Sequence, residues 1–306
     1  MSTRYQLPFG NSSYLRDSCT METLDSINLS LTDVLADEKV VYDFCNYYKK
    51  WITESKLHTI KALDEFPHVV FSQGTSEAFD KFYIKNNTRR FRCFRSEYMY
   101  HQLAWRNSWP NWKFIEDLDI EANDAVVISL PFSDTGNKHV SHDTLLKVCE
   151  ELNVPVLVDC AYYSVSHGID FDFSYKCITD ITFGLSKIFP LAHARVGMRF
   201  TRVDDDDVLF VYNKSNYTNR IGARLGLEFL KLYDSDYIVN KYRNQQIEFC
   251  NILEVEPSQT ILFGLGGEEW KAYSRGGDKN RLGLHRYLHL TTDEFKEELQ
   301  RIKNGS

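Results

Sequence analysis

Phe183-Gly-Leu-Ser-Lys-Ile-Phe-Pro-Leu-Ala-His-Ala-Arg195 sets an amine and a guanidinium eight residues apart, just past an apolar run. Twenty-eight residues before Lys187 a second apolar run, Val154-Pro-Val-Leu-Val-Asp159, ends in an acid, and Tyr162 follows three residues on. A lysine amine attacks carbonyl carbons when it is kept neutral. Arginine grips a phosphate through two parallel N–H bonds. A carboxylate at a strand end can hold a proton on a ring nitrogen, and a phenol can bond a ring oxygen. None of these residues is diagnostic alone. Their order along the chain carries the inference.

Outward from this segment, Ala125-Val-Val-Ile-Ser-Leu130, Val154 to Val158, Ile178 to Phe183 and Val196 to Thr201 read as strands. His142 to Leu152 has helical spacing, with Leu145, Leu146, Val148 and Cys149 inward. Apolar runs without polar alternation imply strands covered on both faces, as in a mostly parallel α/β sheet. Val69-Val-Phe71 followed by Gly74-Thr-Ser-Glu77 reads as strand, turn and helix start. The amides of such a start point at an anion, although the same residues also make an ordinary helix cap.

Asp33 to about Lys61 and Asn219 to Cys250 carry helical periodicity. The tail reads as a strand at Thr260–Phe263, a turn at Gly264–Gly267, a second run from Arg281 to Tyr287 and a helix from Thr292 to Ile302. Asp204 to Asp207 reads as a solvated turn. The expected division is an N-terminal arm over 1–32 joining a small domain, a large α/β domain over 33–215, and a long helix with a small α+β domain over 216–306.

Composition narrows the function classes. The chain has 306 residues, 43% of them apolar and 26% charged, and a formal charge of -7. That balance argues against a polyanion partner, and the one basic cluster is Arg89-Arg90-Phe91-Arg92, so no nucleic acid is expected. Seven scattered cysteines without a Cys-x-x-Cys pair read as reduced thiols of a cytoplasmic protein. Met1 to Pro8 lacks the apolar stretch of a signal peptide, and no run has membrane-spanning length. His139 and His142 form a close histidine pair, but no acid or thiol completes a zinc pattern, so no metal is expected. No phosphate-loop, dinucleotide or nucleophile-elbow motif is present.

The ordered set resembles the fold type I pyridoxal-phosphate enzymes, specifically the class I/II aminotransferases, over roughly residues 66 to 201 and more faintly to Arg281. The resemblance implies pyridoxal 5'-phosphate as cofactor and amino transfer between an amino acid or amine and a 2-oxo acid. Lys187 takes the position of the Schiff-base lysine, Asp159 that of the acid on the pyridine nitrogen, and Tyr162 that of the ring-oxygen tyrosine. Arg195, Gly74, Thr75, Ser76 and Ser186 fall at the phosphate, with Gly184 where a phosphate-binding serine is common. Tyr98, with Tyr100 as rival, falls where a ring stacks on the cofactor, and His101 lies near the acid.

Leu130-Pro-Phe-Ser-Asp-Thr-Gly136 is similar to the family's Asn-Pro turn, with Ser133 replacing the cofactor-binding asparagine. Arg281, with Arg275 and Arg286 as rivals, is similar to the arginine that binds the substrate carboxylate, and Asn11 lies in a loop like the one that closes over substrate. Relatives are homodimers, so a dimer is expected. Decarboxylation or β/γ-elimination on the same cofactor, and a binding protein that kept the fold without catalysis, remain alternatives.

Overall fold

The computed structural model describes residues 7–108, 111–204 and 207–304. Three helices come first, α1 (Ser18–Ser26), α2 (Leu31–Ala36) and α3 (Val40–Thr53), followed by a short strand, β1 (Thr59–Lys61). The single helix expected from Asp33 to Lys61 is therefore broken. At the break Asp37 turns its carboxylate to the Lys39 amide at 3.0 Å and to Arg224 at 2.8 Å. Such side-chain bonds compete with helix continuation.

The strands that follow build one seven-stranded sheet: β2 (His68–Gln73), β3 (Arg90–Cys93), β4 (Trp112–Phe114), β5 (Asp124–Ser129), β6 (Val156–Asp159), then, past β7 (Asp170–Asp172), β8 (Ile178–Gly184) and β9 (Val196–Thr201). β7 leaves this sheet to pair with β1. The order across the sheet is β2-β9-β8-β6-β5-β3-β4. β9 alone runs against its neighbours β2 and β8, so the sheet is mostly parallel, as its apolar runs imply. Every residue of β5, β6 and β9 is buried. Helices α4 (Thr75–Lys85), α5 (Met99–Ser108) and α6 (His142–Glu151) make crossovers that cover the sheet.

Beyond the sheet come α7 (Val208–Lys214), α8 (Arg220–Leu232) and α9 (Tyr237–Leu253). The run expected as one helix from Asn219 to Cys250 is thus two. Its break is pinned to α3, where Trp51 Nε1 donates to the Tyr233 carbonyl at 2.7 Å and Ser55 and Lys56 donate to the Asp236 carboxylate at 2.6 and 2.7 Å. The Asp204–Asp207 turn is more than a solvated run. Asp207 caps α7 through the Leu209 and Phe210 amides and also takes Arg199, while Asp205 and Asp206 lie outside the described residues.

A three-stranded antiparallel sheet follows, β10 (Glu256–Pro257), β11 (Phe263–Gly266) and β12 (Asn280–Gly283), and α10 (Thr292–Lys303), started by a capping box at Thr291, packs on α9 through the stacked Phe249 and Phe295 rings. The turn expected at Gly264–Gly267 is largely strand, because β11 pairs on both edges and its glycines face bulky neighbours, Cys250 and Trp270. Thr260 to Leu262, expected as strand, is instead the turn, held by the Thr260 amide on the Gly136 carbonyl at 3.0 Å.

The N-terminal arm crosses this smaller sheet. Phe9 is buried against Trp270, Tyr273 and Tyr287, and its carbonyl accepts the Gly283 amide at 2.8 Å. One continuous apolar core joins the arm, both sheets and the terminal helix. Among the described residues no helix is long and apolar enough to cross a membrane, and no cluster of three His, Cys, Asp or Glu could hold a metal.

The basic cluster Arg89–Arg92 faces inward rather than toward a partner. It enters β3, where Arg90 and the fully buried Arg92 both reach Asp124 at 2.6 Å. Replacing Asp124 by Ala strands the Arg92 guanidinium in the interior and should cost about 3–5 kcal/mol, measured by urea unfolding. A loss below about 1 kcal/mol would contradict this account of the pair.

Candidate active site

Ser129, Asp159 and Gly184 are the last residues of β5, β6 and β8, so the parallel strands end together at one edge of the sheet. That carboxyl edge is where open α/β sheets take ligands. A cavity of about 150 Å3 lies there, walled by Thr75, Ser76, Tyr98, Ser133, Asp159, Tyr162, Ser186, Lys187 and Arg195 among others.

Lys187 and Arg195 both sit on the β8–β9 connection. Leu185, Ile188, Phe189 and Leu191 of that connection are buried, which anchors it and leaves the lysine amine at the cavity. Lys187 Nζ donates to the Ser12 carbonyl at 3.3 Å and lies 5.4 Å from the Tyr162 ring centre. Burial by itself would raise the Tyr162 hydroxyl. The charges of Lys187, Arg281 and Arg275 outweigh it and hold the phenol below its ordinary value.

Arg195 has φ 54°, a left-handed conformation that costs energy for a residue with a β-carbon. This places its guanidinium on Ser76 Oγ at 2.7 Å and over Gly74. Gly74 has φ 73°, and a β-carbon there would stand 2.4 Å from Arg195 Nη2. The glycine, the arginine and the start of α4 thus form a cradle that fits an anion and that a methyl group would fill. At Gly184, a β-carbon would come within 3.1 Å of the Thr75 methyl. The space a serine would need is taken by Thr75, which itself lines the cavity.

Asp159 Oδ1 accepts the Ala161 amide at 3.0 Å, and Oδ2 lies 3.9 Å from Nε2 of the buried His101. His101 Nδ1 meets the Tyr83 hydroxyl. Tyr98 is 44% exposed at the cavity, while Tyr100 lies parallel to it and ties its hydroxyl to Asp80 at 2.7 Å.

Of the residues singled out from the sequence, Gly74, Asn11 and Arg281 lie off the cavity wall. Gly74 supports Arg195 from beneath. Asn11 spends its Oδ1 on the Ser12 amide at 2.7 Å, and Ser13 reaches the cavity in its place. Arg281 is buried on the Phe263 ring and donates to the Ser133 carbonyl at 2.7 Å. Arg275 donates to the same carbonyl at 2.7 Å, whereas Arg286 is exposed. Sequence reasoning missed Ser13, Ser129, Ala161 and Ala192 on the wall. Ser129 was legible in principle, since it pairs with Asp159 in register.

No signature in the sequence marks a pocket for the substrate side chain, and Arg106, Trp109 and the arm around Tyr14 are the segments that could line one. Trp109 and the side chain of Arg106 lie outside the described residues. A larger cleft of about 910 Å3, around Phe94, Phe132 and His139, holds none of Lys187, Asp159, Tyr162 or Arg195. Volume alone does not mark the chemistry.

No family model matches the sequence, and no curated protein sequence does. Among solved structures, the fold is similar to the histidinol-phosphate aminotransferase from Clostridium acetobutylicum, at 14% identity over 98% of this chain and 100% of that one, with a TM-score of 0.61. It is similar to the tyrosine aminotransferase from Leishmania infantum at 13% identity, 98% and 96% coverage and a TM-score of 0.64. The PLP-bound C-S lyase from Staphylococcus hominis matches at 12% identity, 99% and 93% coverage and a TM-score of 0.60. The chain has the fold type I architecture that these proteins share.

Because cations lower the Tyr162 phenol, Lys187→Met should move its titration to higher pH. Alkaline ultraviolet difference spectra against Tyr162→Phe measure this, and an unmoved transition would refute the coupling.

Proposed function

We propose that this chain is a pyridoxal-phosphate-dependent aminotransferase, moving an amino group between an amino acid or amine and a 2-oxo acid. The observation that carries the reading is one cavity that gathers Lys187, Asp159, Tyr162 and Arg195 at the carboxyl edge of the sheet. The cradle of Gly74, Ser76 and Arg195 fits a phosphate, and the buried Asp159 fits a ring nitrogen that must stay protonated. When bound, the cofactor supplies an aldehyde for amine capture and a ring that withdraws electrons from the substrate α-carbon.

The remaining work falls to this chain. Arg195, the Ser76 hydroxyl and the first amides of α4 bind the phosphate, with Thr75 and Ser186 alongside. Asp159, backed by His101, keeps the proton on the ring nitrogen. Tyr98 rather than Tyr100 supplies the stacking ring, since Tyr98 is on the wall. Lys187 Nζ would hold the cofactor through its aldehyde, and the same amine, once displaced by the incoming substrate amine, would be the base that takes the substrate α-proton. Tyr162 and Ser133 stand at the ring oxygen. Arg281, which with Arg275 holds the Ser133 carbonyl, is the proposed partner of the substrate carboxylate, and the arm around Asn11 would cover it.

The same reading assigns a large domain to 33–215, a smaller one to 216–306 and a joining arm to 1–32. It makes the protein a cytoplasmic homodimer. All seven cysteines are free, and Tyr98, Met99 and Leu103 expose apolar surface beside the cavity for a second copy to cover.

Borohydride reduction of the loaded protein should fix a pyridoxyl label on Lys187, read by peptide mapping. Lys187→Ala should lower amino transfer on the order of 10²–10⁴-fold. Recovery of an unlabelled Lys187 peptide would sink the reading. Consumption of a 2-oxo acid across a donor panel separates amino transfer from the lyase chemistry named for the Staphylococcus hominis structure.

A further inference from the structure

Glu97 is fully buried beneath the cavity, one residue before Tyr98. A buried carboxylate is costly unless it is bonded. This one accepts the Tyr98 amide at 2.8 Å, the Ser129 amide at 3.0 Å and the Ser129 hydroxyl. Tyr98 and Ser129 both line the cavity, yet they belong to different pieces of chain. Tyr98 follows β3 and leads into α5, whereas Ser129 ends β5 and pairs in register with Asp159. One side chain therefore ties the backbone that carries Tyr98 to the floor that holds the acid.

The loop is braced from its other side. Ser96 has φ 71°, and its hydroxyl donates to the Arg275 carbonyl at 3.0 Å. Arg275 in turn donates to the Glu97 carbonyl at 3.4 Å and to the Ser133 carbonyl at 2.7 Å. Backbone held in the left-handed region at a non-glycine residue persists only where its surroundings determine it. Burial raises the Glu97 carboxyl above its ordinary range, against the lowering pull of His101 and of the Ser129 and Tyr98 bonds.

We propose that Glu97 is a positioning residue whose carboxylate, bonded at once to the Tyr98 backbone amide and to Ser129, holds the backbone that presents the Tyr98 ring against the floor strand of Ser129 and Asp159. This rests on the pyridoxal-phosphate reading of the cavity.

The experiment uses the full chain with Glu97→Gln and Glu97→Ala, each alone and combined with Tyr98→Ala. In the protein without cofactor, Glu97→Ala should speed amide hydrogen exchange in the peptides holding Tyr98 and Ser129, with Glu97→Gln closer to wild type. Absorption titration with pyridoxal phosphate should show binding weakened about tenfold by Glu97→Ala and less by Glu97→Gln. In the Tyr98→Ala background the Glu97→Ala loss should shrink to within about twofold, because non-additivity marks residues that act together. Unchanged exchange at the two peptides, or a tenfold loss that persists without Tyr98, overturns the proposal. If Glu97→Ala fails to fold, Glu97→Gln decides by the same two readouts. If the wild type never takes the cofactor onto Lys187, the functional reading fails, and the exchange data alone decide whether Glu97 clamps the loop.

Discussion

The reversed seating of β9 between β2 and β8 is the constraint from which the site follows. In a parallel arrangement the chain would have to leave the carboxyl edge after β8 and return by a crossover. Reversal lets the connection stay at that edge, so Lys187 and Arg195 remain on the same loop above the same cavity. The last pair of the ladder, Gly184 with Gly197, brings the two strands together where the loop begins and ends. The guanidinium then lies over Gly74, which enters from β2 on the far side of β9. Three chain segments meet because one strand runs backwards.

Charge is arranged around that loop in two groups. Cations gather on one side, with Lys187 near Tyr162 and the guanidiniums of Arg275 and Arg281 on the Ser133 carbonyl. Acids and their partners lie on the other, where Asp159, His101 and Tyr83 form a buried line and Glu97 lies beside it. The depressed Tyr162 phenol is one directional readout of this division.

Much of this was legible from the chain alone, and the failures have physical causes. β5 and β6 were readable because strands buried on both faces need apolar runs, and the acid closing β6 stood out against them. β3 was hidden because Arg90 and Arg92 look like surface until Asp124, more than thirty residues away, is seen to neutralise them. β11 was hidden because two of its four residues are glycines, which signal turns unless bulky side chains from elsewhere fill the space over them. Lys187, Arg195 and Asp159 could be picked out by spacing. Glu97 could not, since its partners Tyr98 and Ser129 converge only after the sheet has formed. Helix ends at Asp37 and Asp236 depended on long-range partners in the same way.

The docking of the arm carries a consequence for biosynthesis. Pro8 and Phe9 are held by Tyr287 and Gly283, groups separated from them by well over 250 positions, and the neighbouring Ser12 carbonyl is what meets the lysine amine. On the ribosome the first of these segments emerges long before the second. The Lys187 amine thus acquires this cover only after the segment holding Gly283 and Tyr287 has been translated, so a nascent chain short of that segment would leave the amine uncovered.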